Sequence, residues 1–239
     1  KISEHVHILK GKSYGTNIGV LQHNGSVILI DPMPGEKHLE DLLKAINSIS
    51  NSPNVYIANT HKHSDHSGGN AFFINAGAKI IEQGYEKLGL VHVKVKSHSS
   101  IDNIFYEPNS NIIFVGDVFD TSWHPTFYAG GVEGFQSAID AILKLGDENT
   151  LIIPGHGVPS DKAHLLEFRD NTLLWMNKIA QLHQQGMDEE AMFKHAELKE
   201  LVARFDVNGA SNFLPDKAYK RFIQRSIQVL EKSHKNKSQ

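Results

Sequence analysis

The sequence contains no cysteine. That absence removes disulfides, thiolate nucleophiles and cysteine-based zinc sites together. No apolar run approaches the roughly 18 residues of a membrane-spanning helix. The longest, such as Val27-Ile28-Leu29-Ile30, are strand-sized. Charge of one sign is also scarce, since 24 Lys+Arg against 27 Asp+Glu leave a formal net charge of −3. Such a balance argues against a nucleic-acid surface driven by bulk charge. There is no tandem repeat, no low-complexity tract and no visible signal peptide. The chain opens on Lys1 rather than Met, which reads as a processed or trimmed product. With the missing cysteine, this favours a periplasmic or secreted location over a cytoplasmic one. At 239 residues, 40% hydrophobic and 21% charged, the chain can bury the core of one large domain, or one and a half, unaided.

Apolar patterning predicts strands at Val6–Leu9, Asn17–Leu21 and Ser26–Asp31, with Asn24-Gly25 as a hairpin turn. Leu39, Leu42, Leu43 and Ile46 recur at helical spacing within Glu36–Ile49. A buried strand Val55–Ala58 follows, then a short helix Gly68–Gly77 and a strand Ala78–Glu82. A second hairpin joins Asn103–Glu107 to Ile112–Val115, followed by a helix Val132–Leu145 and a strand Thr150–Ile153. Strands, then alternating strands and helices, twice over, predict a two-sheet α/β architecture with two similar halves. From Asp161 the period is helical throughout, over Lys162–Gln185, Asp188–Phe205 and Lys217–Lys232, with Asp161 and Asp188 as N-caps. The polar tail Lys232–Gln239 is expected to fray. These patterns divide the chain into a core, residues 1–160, and a C-terminal helical extension, residues 161–239, packed on that core or completing it.

The abundant residue is histidine, 15 in all, and its spacing carries the chemistry. Thr60-His61-Lys62-His63-Ser64-Asp65-His66 follows an apolar strand and precedes a glycine-opened helix. The segment therefore lies at a strand's C-terminal end, where α/β sheets place their sites. Imidazole and carboxylate suit zinc, and also iron or manganese. His61 and His63 can point one way, and Asp65 and His66 toward a second position beside it. Two adjacent metals are the natural reading; a solvated histidine-rich loop is the bland alternative, and packing supplies no reason for it.

The motif Thr-His-x-His-x-Asp-His resembles the leading motif of the metallo-β-lactamase superfamily, over about residues 1–160. The resemblance implies a four-layer αββα sandwich and further ligands downstream. His98, in Lys96-Ser97-His98-Ser99-Ser100-Ile101-Asp102-Asn103, would join His61 and His63. Asp117, ending Ile112–Asp117, would bridge two metals. His156, in Pro154-Gly155-His156-Gly157, would join Asp65 and His66. His92 is a competitor for the third ligand but lacks the Ser-Ser-x-Asp-Asn context. Asp31 would support the ligand loop from behind; it also reads as a turn-initiating residue before Pro32. One departure stands out. Only 34 residues lie between His63 and His98, where the family holds a longer stretch with more strands and a flap. A segment is therefore expected to be missing near Gly89-Leu90-Val91.

A divalent ion lowers the pKa of bound water from about 15.7 toward 7. The resemblance thus implies a hydrolase with two Zn2+ per chain, a metal-bridging hydroxide as nucleophile, and Asp65 as its proton acceptor. The bond cleaved would be an ester, thioester, lactone or amide of a small molecule. A bridging Asp117 is typical of glyoxalase II-like relatives. Alternatives are a β-lactamase, an iron-dependent sulfur dioxygenase and a non-catalytic metal-binding protein; the complete ligand set argues against the last. Trp123, His124, Phe127 and Tyr128 are candidates to line a substrate pocket, unless they pack under the helix Val132–Leu145. Nucleic acid is not an expected partner, and the C-terminal helices could cover the site or form a homodimer.

Overall fold

The computed structural model describes residues 1–207, Gly209 and 213–237. Nine strands form two sheets. The first runs in the order β1 (Val6–Lys10), β2 (Asn17–His23), β3 (Ser26–Ile30), β4 (Asn54–Ala58), β5 (Lys79–Ile80). The second runs β6 (Val91–Val95), β7 (Asp102–Glu107), β8 (Ile112–Gly116), β9 (Leu151–Pro154). In each sheet an antiparallel pair precedes a strand joined in parallel through a helix. Helix α1 (Leu39–Ile49) connects β3 to β4, and α4 (Gly131–Leu143) connects β8 to β9.

Alternation along the strands builds three apolar layers. In β3, Val27 and Leu29 face α1 and Phe73, whereas Ile28 and Ile30 face the other sheet. In β8, Ile112 and Phe114 meet that inner layer, and Ile113 and Val115 turn outward to α4. The result is helix, sheet, sheet, helix, the four-layer arrangement. The outer cluster on the second sheet continues without a break into α5 (Lys162–Gln184), α6 (Glu189–Lys194), α7 (Ala196–Ala203) and α8 (Asp216–Lys237).

The halves grip each other reciprocally at one end of the sandwich. At the start of β2, Asn17 donates its backbone N–H to Gly155 O (2.8 Å) and its Nδ2 to Pro154 O (2.9 Å). At the start of β7, Asn103 donates its N–H to Thr60 O (2.7 Å) and its Nδ2 to Asn59 O (2.9 Å). The two segments so held lead directly into His61 and His156.

Several elements differ from the sequence reading. Strand β6 was not expected, although Val91-His92-Val93-Lys94-Val95 alternates with period two and pairs with β7. The expected helix Gly68–Gly77 is realised as the shorter α3 (Asn70–Asn75), and a further one-turn helix, α2 (Ser64–Ser67), precedes it. Asp188–Phe205 is two helices, because His195 is extended between them (ψ 122°); the break lets Met192 and Leu198 enter one core. Helix α8 continues past Lys232 to Lys237, so fraying does not begin there; Ser238 and Gln239 lie outside the described residues. At the Gly89 junction the chain turns in the left-handed region (φ 73°), and Leu90 N–H donates to Tyr85 O (3.1 Å). No described helix is long and apolar enough to cross a membrane.

Candidate metal centre

The site lies where β3, β4, β6, β8 and β9 end. Asp31 follows β3 in the left-handed region (φ 51°) and is 2% exposed. Its carboxylate accepts from Thr60 N (2.8 Å), Thr60 Oγ1 (2.5 Å) and His66 Nδ1 (2.9 Å). Thr60 Oγ1 spends its proton on Asp31, so it accepts from His61 Nδ1 (3.1 Å). Both His61 and His66 are thereby oriented with Nε2 inward. The loop after β6 is organised by Asp102, which accepts from Ser97 N (2.9 Å), Ser99 N (3.0 Å) and Ser99 Oγ (2.6 Å). That loop carries His98, whose Nδ1 donates to Thr126 O (2.9 Å), leaving its Nε2 inward as well.

These inward atoms form two groups. His63 Nδ1 lies 3.0 Å from His61 Nε2 and 2.9 Å from His98 Nε2, and Asp117 Oδ2 lies 3.5 Å from His98 Nε2. In the second group His156 Nε2 lies 3.2 Å from His66 Nε2 and 3.3 Å from Asp65 Oδ2, with Asp117 Oδ1 3.1 Å from His66 Nε2. The ligand atoms of each group lie within 4.8 Å of one another. Donors around a tetrahedral zinc at 2.0–2.1 Å stand about 3.3 Å apart, so the spacing fits such an ion. Asp117 belongs to both groups, one oxygen to each.

Electrostatics point the same way. Asp117 Oδ1 is buried, with only the imidazoles of His66 (3.1 Å) and His156 (3.5 Å) beside it, so its charge depends on a cation there, either a protonated histidine or a metal. Burial opposes ionisation of Asp117, but His66, then His98 and His156, hold it well below the usual carboxylate range. Burial opposes a charge on His66 too, yet the carboxylates of Asp117 and Asp31 push it up to about 11. His61 is driven down to about 3, mainly by burial. A proton on His66 thus stands in for missing positive charge. Space for Asp117 comes from Gly155, where an added Cβ would sit 2.0 Å from Asp117 Oδ1.

The structure brings together all seven residues named from the motif and the resemblance. His92 is elsewhere, bonded to Asn103 Oδ1 (2.9 Å) between Tyr85 and Phe105. The histidines of the first group open onto a cleft of 1710 Å³, whose wall includes His61, His63, His98, Trp123, His124 and Tyr128. Phe127 is a correction. It is 1% exposed and packs on Phe135 of α4, because the alternation of the segment turns it away from the cleft. Sequence reasoning also passed over Asp102, Thr126 and Gly155. The Ser99-x-x-Asp102 spacing signalled the first, a turn closed by a carboxylate; nothing local signalled the other two.

The profile of the metallo-beta-lactamase superfamily matches residues 12–87, which include the first histidine cluster and Asp31. Over this stretch the chain is similar to the metallo-β-lactamase superfamily. A probable hydroxyacylglutathione hydrolase of Schizosaccharomyces pombe is 26% identical over 121 residues, 42% of this chain and 47% of that protein. The chain thus spans about half the length of the curated relatives it matches. Among solved structures, the inverting sec-alkylsulfatase Pisa1 of Pseudomonas sp. has a TM-score of 0.64 at 12% identity, covering 95% of this chain and 49% of that one. TTHA1623 in a di-iron-bound form has a TM-score of 0.53 at 18% identity, covering 66% of this chain and 96% of that one. At such identities the structures speak for the superfamily fold alone.

Proposed function

We propose that this protein is a metal-dependent hydrolase that cleaves an ester, thioester, lactone or amide of a small molecule, with two zinc ions per chain. The carrying observation is Asp117, whose two oxygens face separate histidine groups. Ions held by His61, His63, His98 and Asp117, and by Asp65, His66, His156 and Asp117, would supply a water of lowered pKa and polarise the substrate oxygen.

The chain's own residues do the rest. Asp31 and Thr60 engage Nδ1 of His66 and His61, so that Nε2 of each faces the site, where an incoming metal would displace the proton of His66. Asp65 is ionised: its hydrogen bond to His156 lowers its pKa against the effect of burial. Thr16 Oγ1 holds its backbone, donating to Asp65 O (2.7 Å). Partly exposed and 3.3 Å from His156 Nε2, Asp65 is positioned to accept the proton of attacking water. The name of the fission-yeast relative, a hydroxyacylglutathione hydrolase, supports acyl transfer to water over other reactions.

Metal analysis paired with a substrate panel tests the proposal. The expected result is two zinc ions per chain and turnover of an ester or thioester above a chromogenic cephalosporin. Iron alone would move the assignment to the sulfur dioxygenase reading. Faster cephalosporin turnover would make it a β-lactamase, and metal without turnover a binding protein. Asp65→Asn should lose turnover while both metals stay bound.

A further inference from the structure

Helix α8 forms the wall of the cleft beyond the metal centre and carries a row of cations. Lys217, Arg221, Arg225 and Lys232 all line the cleft. Their spacing of four, four and seven places them within about 80° of one another around a helix of 3.6 residues per turn. The opposite face of α8 holds this row in place. Phe222, Ile223 and Ser226 are fully buried, Phe222 is stacked on Trp175 (4.3 Å), and Ser226 Oγ accepts from Trp175 Nε1 (2.8 Å).

Like charges at four-residue spacing repel, so the row costs stability unless something answers it. Lys220, which points away from the cleft, has such an answer in Glu190 (2.8 Å). Among the described residues no carboxylate pairs with Lys217, Arg221, Arg225 or Lys232. Glu82 is the one carboxylate residue on the cleft wall. This basic wall belongs to a chain whose net charge is −3, so it is local and not a by-product of composition. Arg225 is held with its guanidinium 5.0 Å from the Tyr128 ring, which orients the fork while leaving its donors free. The cleft wall also carries exposed apolar side chains: Ile80 on β5 is 46% exposed and Ile101, on the His98 loop, 50% exposed.

We propose that the substrate is an amphiphilic acid derivative: its distal end is an anion gripped by Arg221 and Arg225, and its middle is an apolar segment lying against Ile80 and Ile101. The inference rests on the hydrolase reading of the metal centre and names the substrate class for it. Two arginines match the paired oxygens of a carboxylate or sulfate.

The test uses the metal-loaded protein and two substrates: the 4-nitrophenyl monoester of suberic acid, and the same ester with its free acid replaced by a primary amide. The expected kcat/KM favours the acid by at least about tenfold, the worth of one charge-assisted contact. The preference should lie in KM and weaken with salt. In the Arg221→Gln/Arg225→Gln double variant the ratio should fall toward one, while the double Lys variant keeps part of it. A ratio near one in the parent protein, or an unchanged ratio in the Gln variant, overturns the anion site. If neither ester turns over, the hydrolase reading fails separately. Calorimetric binding of suberate then decides: an affinity about tenfold weaker in the Gln variant keeps the anion site, and equal affinities remove it. Circular dichroism melts of both variants confirm that they fold.

Discussion

At the scale of single residues, the centre is arranged around a carboxylate that needs a cation. Asp31 touches no substrate, but it fixes Thr60 and His66 together. Asp31→Asn should therefore lower metal affinity about 10–100-fold, as loss of a ligand's hydrogen-bond partner commonly does; competition with a chromophoric chelator measures it. Gly155→Ala should have an effect of similar size by displacing Asp117, since the new Cβ would fall 2.0 Å from Oδ1. His66 sets the pH dependence. Its folded pKa, about 11, lies above the ordinary 6.5, so the metal-free protein keeps this proton at neutral pH. Its contribution to the metal-free fold is complete below pH 6.5 and is lost as pH rises through about 11. A metal ion must displace the proton, so affinity should rise with pH between those values, and binding at pH 7 should release at least about one proton. Calorimetry in buffers of different ionisation enthalpy counts the protons, and a count of zero would contradict the arrangement.

At the scale of elements, close backbone approaches aim the ligand loops. Helix α4 seats its first turn against the loop carrying His98: an added Cβ on Gly134 would lie 2.4 Å from Lys96 O, and on Gly130 2.2 Å. Gly134→Ala should cost about 1–3 kcal/mol through overpacking. Because the strained contact is two residues from His98, metal affinity should fall with stability; a denaturant titration with and without metal separates the two. Trp175→Ala should cost about 3–5 kcal/mol, since the ring is fully buried between α5 and α8. The same elements mark what a sequence conveys. Strand β3 was legible from its apolar run and bounding turns, and α5 from its period and its cap, where Asp161 Oδ1 accepts from His164 N (2.8 Å). Strand β6 was not, because His92 and Lys94 interrupt its apolar residues and only pairing with β7 makes their alternation a strand. The break at His195 was hidden because apolar residues on both sides keep a helical rhythm, whereas the core they enter requires a change of direction.

At the scale of the whole molecule, the metal centre lies across the seam between two halves that otherwise meet through one apolar layer and reciprocal asparagine bonds. The proposed ligands come from both sheets, so bound ions would tie the halves together. Chelation should lower Tm by about 5–10 °C, for a stabilisation near 2.7 kcal/mol at a hundredfold excess over Kd; differential scanning fluorimetry checks this. We propose further that residues 161–239 complete the core instead of forming a separate unit, because α5 to α8 share one buried cluster with the second sheet. A single unfolding transition, coincident by fluorescence and circular dichroism, is expected.

The sequence by itself determined the chemistry on offer: no thiolates, a histidine-aspartate motif at a strand end, and the order of strands and helices of a two-sheet α/β fold. Those are properties of local spacing and period, which a linear chain displays. The distances at which the seven side chains meet, the inward turn of Phe127, and the placing of the α8 basic row against the cleft were decided by tertiary structure. Each depends on residues far apart in the chain being fixed within a few ångströms by packing, and no local pattern encodes such distances.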